Sequence, residues 1–151
     1  MHHFPRYEYS APFYHRRDGK KGPNMDHGVS TEITALLNDW NTALESLDPA
    51  QVAALYAEDA VLLPTVSNEI RKTPAAIHDY FIRFLKKKPR GRVIQQNIRL
   101  FGALAINSGL YTFDLTVEDT QVQLLCRYTF VYRKDAQGWK IIEHHSSVMP
   151  E

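Results

Sequence analysis

The chain has 151 residues, 44% of them apolar and 23% charged, with a formal net charge of +1. That length fits one domain with a real core, and the near-neutral balance gives no electrostatic case for wrapping nucleic acid or lying on an anionic membrane. The lone Cys126 excludes an intramolecular disulfide and a Cys-rich zinc pattern, while the lack of any apolar run near ~20 residues, or of an apolar leader, predicts a cytoplasmic protein.

Residues 1–28, MHHFPRYEYSAPFYHRRDGKKGPNMDHG, mix aromatic, basic, proline and glycine residues without periodicity. They predict an extended or disordered arm, leaving 29–151 as a single domain. In STEITALLNDWNTALESLD the apolar positions Ile33, Leu36, Leu37, Trp40, Ala43, Leu44 and Leu47 recur with helical spacing. Ser30 or Thr31 is the expected cap. Asp48-Pro49 then predicts a short second helix, PAQVAALYAED, with Val52, Leu55 and Tyr56 on its apolar face.

AVLLPT (60–65) reads as a short strand stopped by Pro64. Thr73-Pro74 opens a third helix with Ile77, Tyr80, Phe81, Phe84 and Leu85 on one stripe. Lys86, Lys87 and Lys88 fall in its last turn, where the helix dipole favours cations. Beyond Gly91 come four long β-branched and aromatic runs with short connections, one of them the tight turn DAQG (135–138). Helices first and meandering strands after predict an α+β fold in which a curved antiparallel sheet wraps a long N-terminal helix.

Strand alternation sorts the polar residues. In WKIIEHHSS, Ile141, Glu143, His145 and Ser147 share one face, and Ile142, His144 and Ser146 the other. The adjacent histidines therefore do not converge on one ion, and a zinc site needs three or four convergent ligands. In LLCRYTFVYRK, Arg127 and Thr129 share a face opposite Cys126, Tyr128, Phe130 and Tyr132. Arg127 and Thr129 line a polar concavity if that face turns inward, and an exposed Arg127 if it turns out.

The segments LLPTVSNEIR, IHDYFIRFL, GLYTF, RYTFVY and WKIIEHHSSVMPE resemble the cone-shaped fold shared by nuclear transport factor 2 and the association domain of calcium/calmodulin-dependent kinase II. Within that superfamily, PTVSN, DYF..FL and HHSS.MPE together resemble the iota-class carbonic anhydrases, over about residues 30 to 151. The resemblance implies a homodimer, a pocket inside the cone, and reversible hydration of carbon dioxide to bicarbonate. Some members are metal-free and others metal-dependent. By position it implies catalytic roles for Thr65, Tyr80 and Ser147, with His145 beside Ser147 as a proton carrier. Arg127 and Thr129 would favour bicarbonate, and Trp40, Phe81, Phe84 and Leu63 would form the apolar wall. Glu143 stands where some relatives carry a third histidine, which favours a site without a metal over a zinc or manganese one. Two other classes fit the same fold: a small-carboxylate-binding or oligomerisation module, and an isomerase- or cyclase-like enzyme using Glu143 or Asp114 as base.

Overall fold

The computed structural model describes residues 25–150. Three helices, α1 (Met25–Glu45), α2 (Pro49–Ala53) and α3 (Pro74–Phe84), accompany five strands. The strands are β1 (Tyr56–Leu63), β2 (Arg90–Phe101), β3 (Leu104–Val117), β4 (Thr120–Asp135) and β5 (Gly138–Val148). They form one sheet in the order β1-β5-β4-β3-β2. The sheet is the expected antiparallel meander from β2 to β5, with β1 added parallel to β5 at one edge.

The helix stripe of α1 buries Ile33, Leu37, Trp40 and Leu44 against the concave side of the sheet. There it meets the inward residues of β3 and β4: Tyr111, Phe113 and Leu115, and Cys126, Tyr128, Phe130 and Tyr132. Trp40 is the hub, stacked on Tyr111 at 6.0 Å and edge-on to Phe130 at 5.4 Å. Removing an aromatic from such a core costs about 3–5 kcal/mol. Helix α3 is capped as its sequence predicts, with Thr73 accepting from the Ala76 amide and Pro74 in the first turn.

Several expectations need correction. Helix α1 reaches back to Met25, so residues 25–28 belong to the fold; residues 1–24 of the expected arm lie outside the described residues. Ser30 and Thr31 do not cap the helix. They sit inside it, with Thr31 donating to the His27 carbonyl and the Ser30 carbonyl accepting from Thr34. The helix stops at Glu45, and Leu47 lies beyond it, half-exposed at a left-handed φ of 60°. Helix α2 stops at Ala53, and Tyr56–Asp59, expected in that helix, open β1 instead. Pairing with β5 outweighs helix propensity there, as tertiary context commonly does.

Two bulges matter for the site. Pairing in β2 steps from Val93 to Gln95 against consecutive residues of β3, so Ile94 is extra. In β5 it steps from Ile141 to Glu143 against Tyr132 and Val131, so Ile142 is extra. A bulge bends its strand and inverts the alternation beyond it. Opposite the first, a Cβ on Gly109 would fall 2.0 Å from the Gln95 carbonyl oxygen, so only glycine tolerates the approach.

Candidate active site

Beyond the Ile142 bulge, His144 and Ser146 point into the cone while His145 and Ser147 face out. Both inner residues are nearly inaccessible, at 2% and 5% exposure. This reverses the expected assignment. Ile141 is buried, but the extra residue after it flips the phase of everything that follows, so His145 and Ser147 do not share its face.

The inner residues meet the end of β1. Pro64 and Thr65 are both buried, and the Thr65 hydroxyl donates to the Ser146 hydroxyl. Helix α3 supplies Tyr80, whose hydroxyl donates to the Thr65 backbone carbonyl at 3.1 Å. Tyr80 thus fixes the backbone that carries Thr65. Desolvation pushes its pKa well above the ordinary tyrosine range, so it stays protonated. Around these groups lies a slot lined by Trp40, Leu62, Pro64, Thr65, Tyr80, Phe81, Phe84, Tyr111, Phe113, His144 and Ser146. Its free volume is about 10 Å³, roughly room for one water.

His144 is held on every side. Its Nδ1 pairs with the Tyr56 hydroxyl at 2.8 Å and its Nε2 with the Tyr111 hydroxyl at 3.3 Å. Its ring stacks on Phe130 at 3.9 Å and meets the edge of Trp40 at 5.3 Å. Burial, with a smaller contribution from neighbouring His145, pushes its pKa down to about 3. His144 is therefore a neutral imidazole at working pH and a poor base. Burial also lifts the Cys126 thiol beside Thr65 to about 11, so it is no nucleophile.

Outside the slot is a cleft of about 360 Å³, lined by Leu63, Pro64, Val66–Ile70 and His145–Val148. Cleft and slot share Pro64 and Ser146, which form the wall between them. The Val66–Ile70 rim is pinned by buried Arg71, which pairs with Glu69 at 2.9 Å and Asp79 at 2.8 Å. Val66 itself holds φ 56°, a conformation rare for a β-branched residue.

Of the expected site residues, Thr65, Tyr80, Trp40 and Phe84 come together at the slot. Ser147 and His145 line the outer cleft instead. Leu63 also faces that cleft, and Leu62 takes its place in the apolar wall. Arg127 is exposed and Thr129 half-buried on the outer face, register partners of Ser147 and His145. The physical reason is that the aromatic face of β4 packs on Trp40, which turns the polar face outward. Sequence reasoning missed His144 and Ser146 because a bulge leaves no mark on composition. It also missed Tyr56 and Tyr111; the alternation of Tyr111, Phe113 and Leu115 was the available signal for the second.

Neither rival base reaches the slot. Asp114 is exposed and accepts from Gln123 at 2.8 Å, and Glu143 lies half-buried on the outer face. Among the described residues, no group of three or more His, Cys, Asp or Glu side chains converges as metal ligands. With both His144 nitrogens engaged and His145 outside, these residues do not fit a zinc or manganese centre. No helix among the described residues is long and apolar enough to cross a membrane.

Comparison with known proteins matches residues 29–150 to the calcium/calmodulin dependent protein kinase II association domain. A solved association-domain protein of that description from Xanthomonas campestris is 44% identical, covering 90% of this chain and 99% of its own, with a TM-score of 0.80. A nuclear transport factor 2-like protein from Salmonella enterica serovar Typhimurium shares the fold at 18% identity, covering 83% and 94%, with a TM-score of 0.74. So does a Streptomyces avermitilis protein of the same superfamily that carries the name dehydratase, at 13% identity, 84% and 100% coverage, and a TM-score of 0.76. No curated protein matches.

Proposed function

From the premise that the chain belongs to the calcium/calmodulin-dependent kinase II association-domain family, we propose that its inner slot hydrates carbon dioxide reversibly, as the resemblance to iota-class carbonic anhydrases implies. The observation that carries this reading is the slot itself: very small, walled by Trp40, Leu62, Phe81 and Phe84, and furnished with hydroxyls but no carboxylate. With room for one water it excludes bulky substrates, and carbon dioxide, reaching that water across the Ser146 wall from the outer cleft, is the smallest of the candidate substrates. An isomerase or cyclase needs a larger cavity and a base such as Asp or Glu.

In this reading a water at the Ser146 wall attacks the carbon of carbon dioxide. A carbon–oxygen bond forms, one C=O π bond breaks, and the electron pair goes to an oxygen that becomes bicarbonate's. The Ser146 hydroxyl, which accepts from Thr65, donates to that oxygen and stabilises it, an effect largest where water is excluded. The water's proton passes the Ser146 wall to water in the outer cleft, where His145 takes it to solvent. Tyr80 acts through the Thr65 backbone. Arg127, beside Ser147 on the outer face, draws bicarbonate electrostatically near the cleft rim. No metal is assigned a step. Stopped-flow hydration on chelator-treated protein, with metal content assayed on the same sample, tests this. Metal-independent turnover supports it, and turnover only with added ion overturns it.

The family description favours a second reading, an association module without turnover. Both readings include self-association, with a homodimer expected for the enzyme and a larger ring for the module. Light scattering separates them.

A further inference from the structure

Tyr111 is wholly buried, stacked on Trp40 at 6.0 Å and packed on Tyr128 at 4.6 Å, so its phenol ring is fixed and only its O–H bond can turn. Where that proton points follows from a count of donors and acceptors from α1 to β3. An indole N–H donates and never accepts. Trp40 Nε1 lies 3.1 Å from the Tyr56 hydroxyl, so that oxygen accepts. His144 stands between two phenols, with Nδ1 at 2.8 Å from Tyr56 and Nε2 at 3.3 Å from Tyr111. Its ring is neutral and has one hydrogen for two nitrogens. With that hydrogen on Nδ1, His144 donates to Tyr56 and accepts from Tyr111, and the Tyr56 proton is left over. With it on Nε2, Tyr56 donates to Nδ1, Tyr111 accepts from Nε2, and the Tyr111 proton is left over. The two cases differ in where the spare proton lies. Tyr56 is buried and lines neither slot nor cleft, so its stranded donor would bear the full cost of desolvation. Tyr111 lines the slot, where about one water has room to accept. The fold therefore selects the Nε2–H form.

We infer that Tyr111 is a fixed donor to the water held in the slot, and that Tyr56 and His144 are positioning residues that keep its proton there. The inference rests on the hydration reading for its purpose, but not for its geometry. Tyr80 gives its proton to the Thr65 carbonyl, and Thr65 gives its own to Ser146. No hydrogen bond among the described residues takes the Tyr111 proton. A water that accepts from Tyr111 has one lone pair held. It keeps the other for carbon dioxide arriving across the Ser146 wall. The nucleophile is thus oriented before reaction. The same donor sets the class of occupant: an oxygen acceptor such as water fits, and an ammonium, which only donates, does not. Neutral His144 is essential, because an imidazolium would donate from both nitrogens and leave the Tyr56 proton stranded.

The test joins a tautomer to a rate. Full-length protein labelled with ¹⁵N-histidine is examined by long-range ¹H–¹⁵N correlation at pH 7, and carbon dioxide hydration is followed by stopped flow. The His144 ring is expected as a single Nε2–H tautomer. Tyr111→Phe should keep that tautomer, because Tyr56 still donates to Nδ1. Its kcat should fall ~10²-fold, the scale on which a misplaced reactant costs rate. Tyr56→Phe should do the reverse: mixed tautomers, with kcat down only severalfold and KM unchanged. A merely structural Tyr56 would leave the tautomer alone. An Nδ1–H tautomer in the parent overturns the inference, because Tyr111 then donates to His144 and not into the slot. The parent gives that answer whether or not either variant folds. In a protein that hydrates carbon dioxide, a folded Tyr111→Phe within about threefold of the parent also overturns it. A single Nε2–H tautomer in a protein that does not hydrate carbon dioxide discards the hydration reading and leaves the donor assignment standing.

Discussion

His144 and Ser146 on one side of β5, and His145 and Ser147 on the other, are the same two residue types placed one position apart. The inner pair is almost without solvent, bonded to tyrosine and threonine hydroxyls, and closes a slot barely larger than a water. The outer pair is exposed, across from Thr129 and Arg127, and opens on a cleft of about 360 Å³. Residue identity therefore says little about chemistry here. Burial turns one imidazole into a fixed neutral hydrogen-bonding group, while the other lies exposed at the cleft.

The largest expected effect breaks this contrast if it is wrong. Ser146→Ala should lower kcat for hydration by ~10² or more, the usual cost of losing a donor to developing charge, and Thr65→Val, which removes the donor to Ser146, should lower it by less. Ser147→Ala and Arg127→Ala should stay within about threefold of the parent, as exposed polar changes usually do. Equal losses at Ser146 and Ser147 would mean that the outer face does the chemistry.

The next effect sharpens the contrast through stability. In the unfolded chain a histidine takes up a proton near pH 6.5, whereas folded His144 does so only near 3. The unfolded state therefore binds more protons across that window, and the His144 contribution is complete above pH 6.5 and lost as the pH falls. Between pH 7 and 5 the loss is about 2 kcal/mol, from about 1.4 kcal/mol per pH unit below 6.5. Urea unfolding at the two pH values should show this extra slope in the parent and in His145→Ala. It should vanish in His144→Phe, and its persistence there would assign it to other groups.

How much of this the chain announces depends on which physical signal carries it. The stripe of α1, the Thr73-Pro74 start of α3 and the aromatic alternation of β4 are local patterns, and each appears where periodicity puts it. The placement of Thr65, Tyr80, Trp40 and Phe84 at one slot was legible through the motifs that resemble a known family. Three things were not. Tyr56–Asp59 has helical composition and becomes strand only because β5 pairs with it. The extra residue at Ile142 is a decision of the β4–β5 ladder, and no count along WKIIEHHSS reveals it. The line from Trp40 through Tyr56 and His144 to Tyr111 joins α1, β1, β5 and β3, so its members are distant in sequence and meet only in the folded sheet.

The smallest expected effect concerns the outer pair alone. Hydration releases a proton at a slot whose own histidine cannot take it, since both His144 nitrogens are engaged and its pKa is depressed. Ser146 touches both slot and cleft, so the exit leads past His145. Imidazole accepts and releases protons near neutral pH, which suits it to that step. In dilute buffer His145→Ala should turn over severalfold more slowly, less than the ~10²-fold a positioned proton-transfer group supplies at the reacting atoms. Added imidazole should restore the rate, because it replaces a carrier in solvent. It should not restore Ser146→Ala, whose loss lies inside the slot. Undiminished turnover of His145→Ala in dilute buffer would remove His145 from the proton path and leave cleft water to carry it.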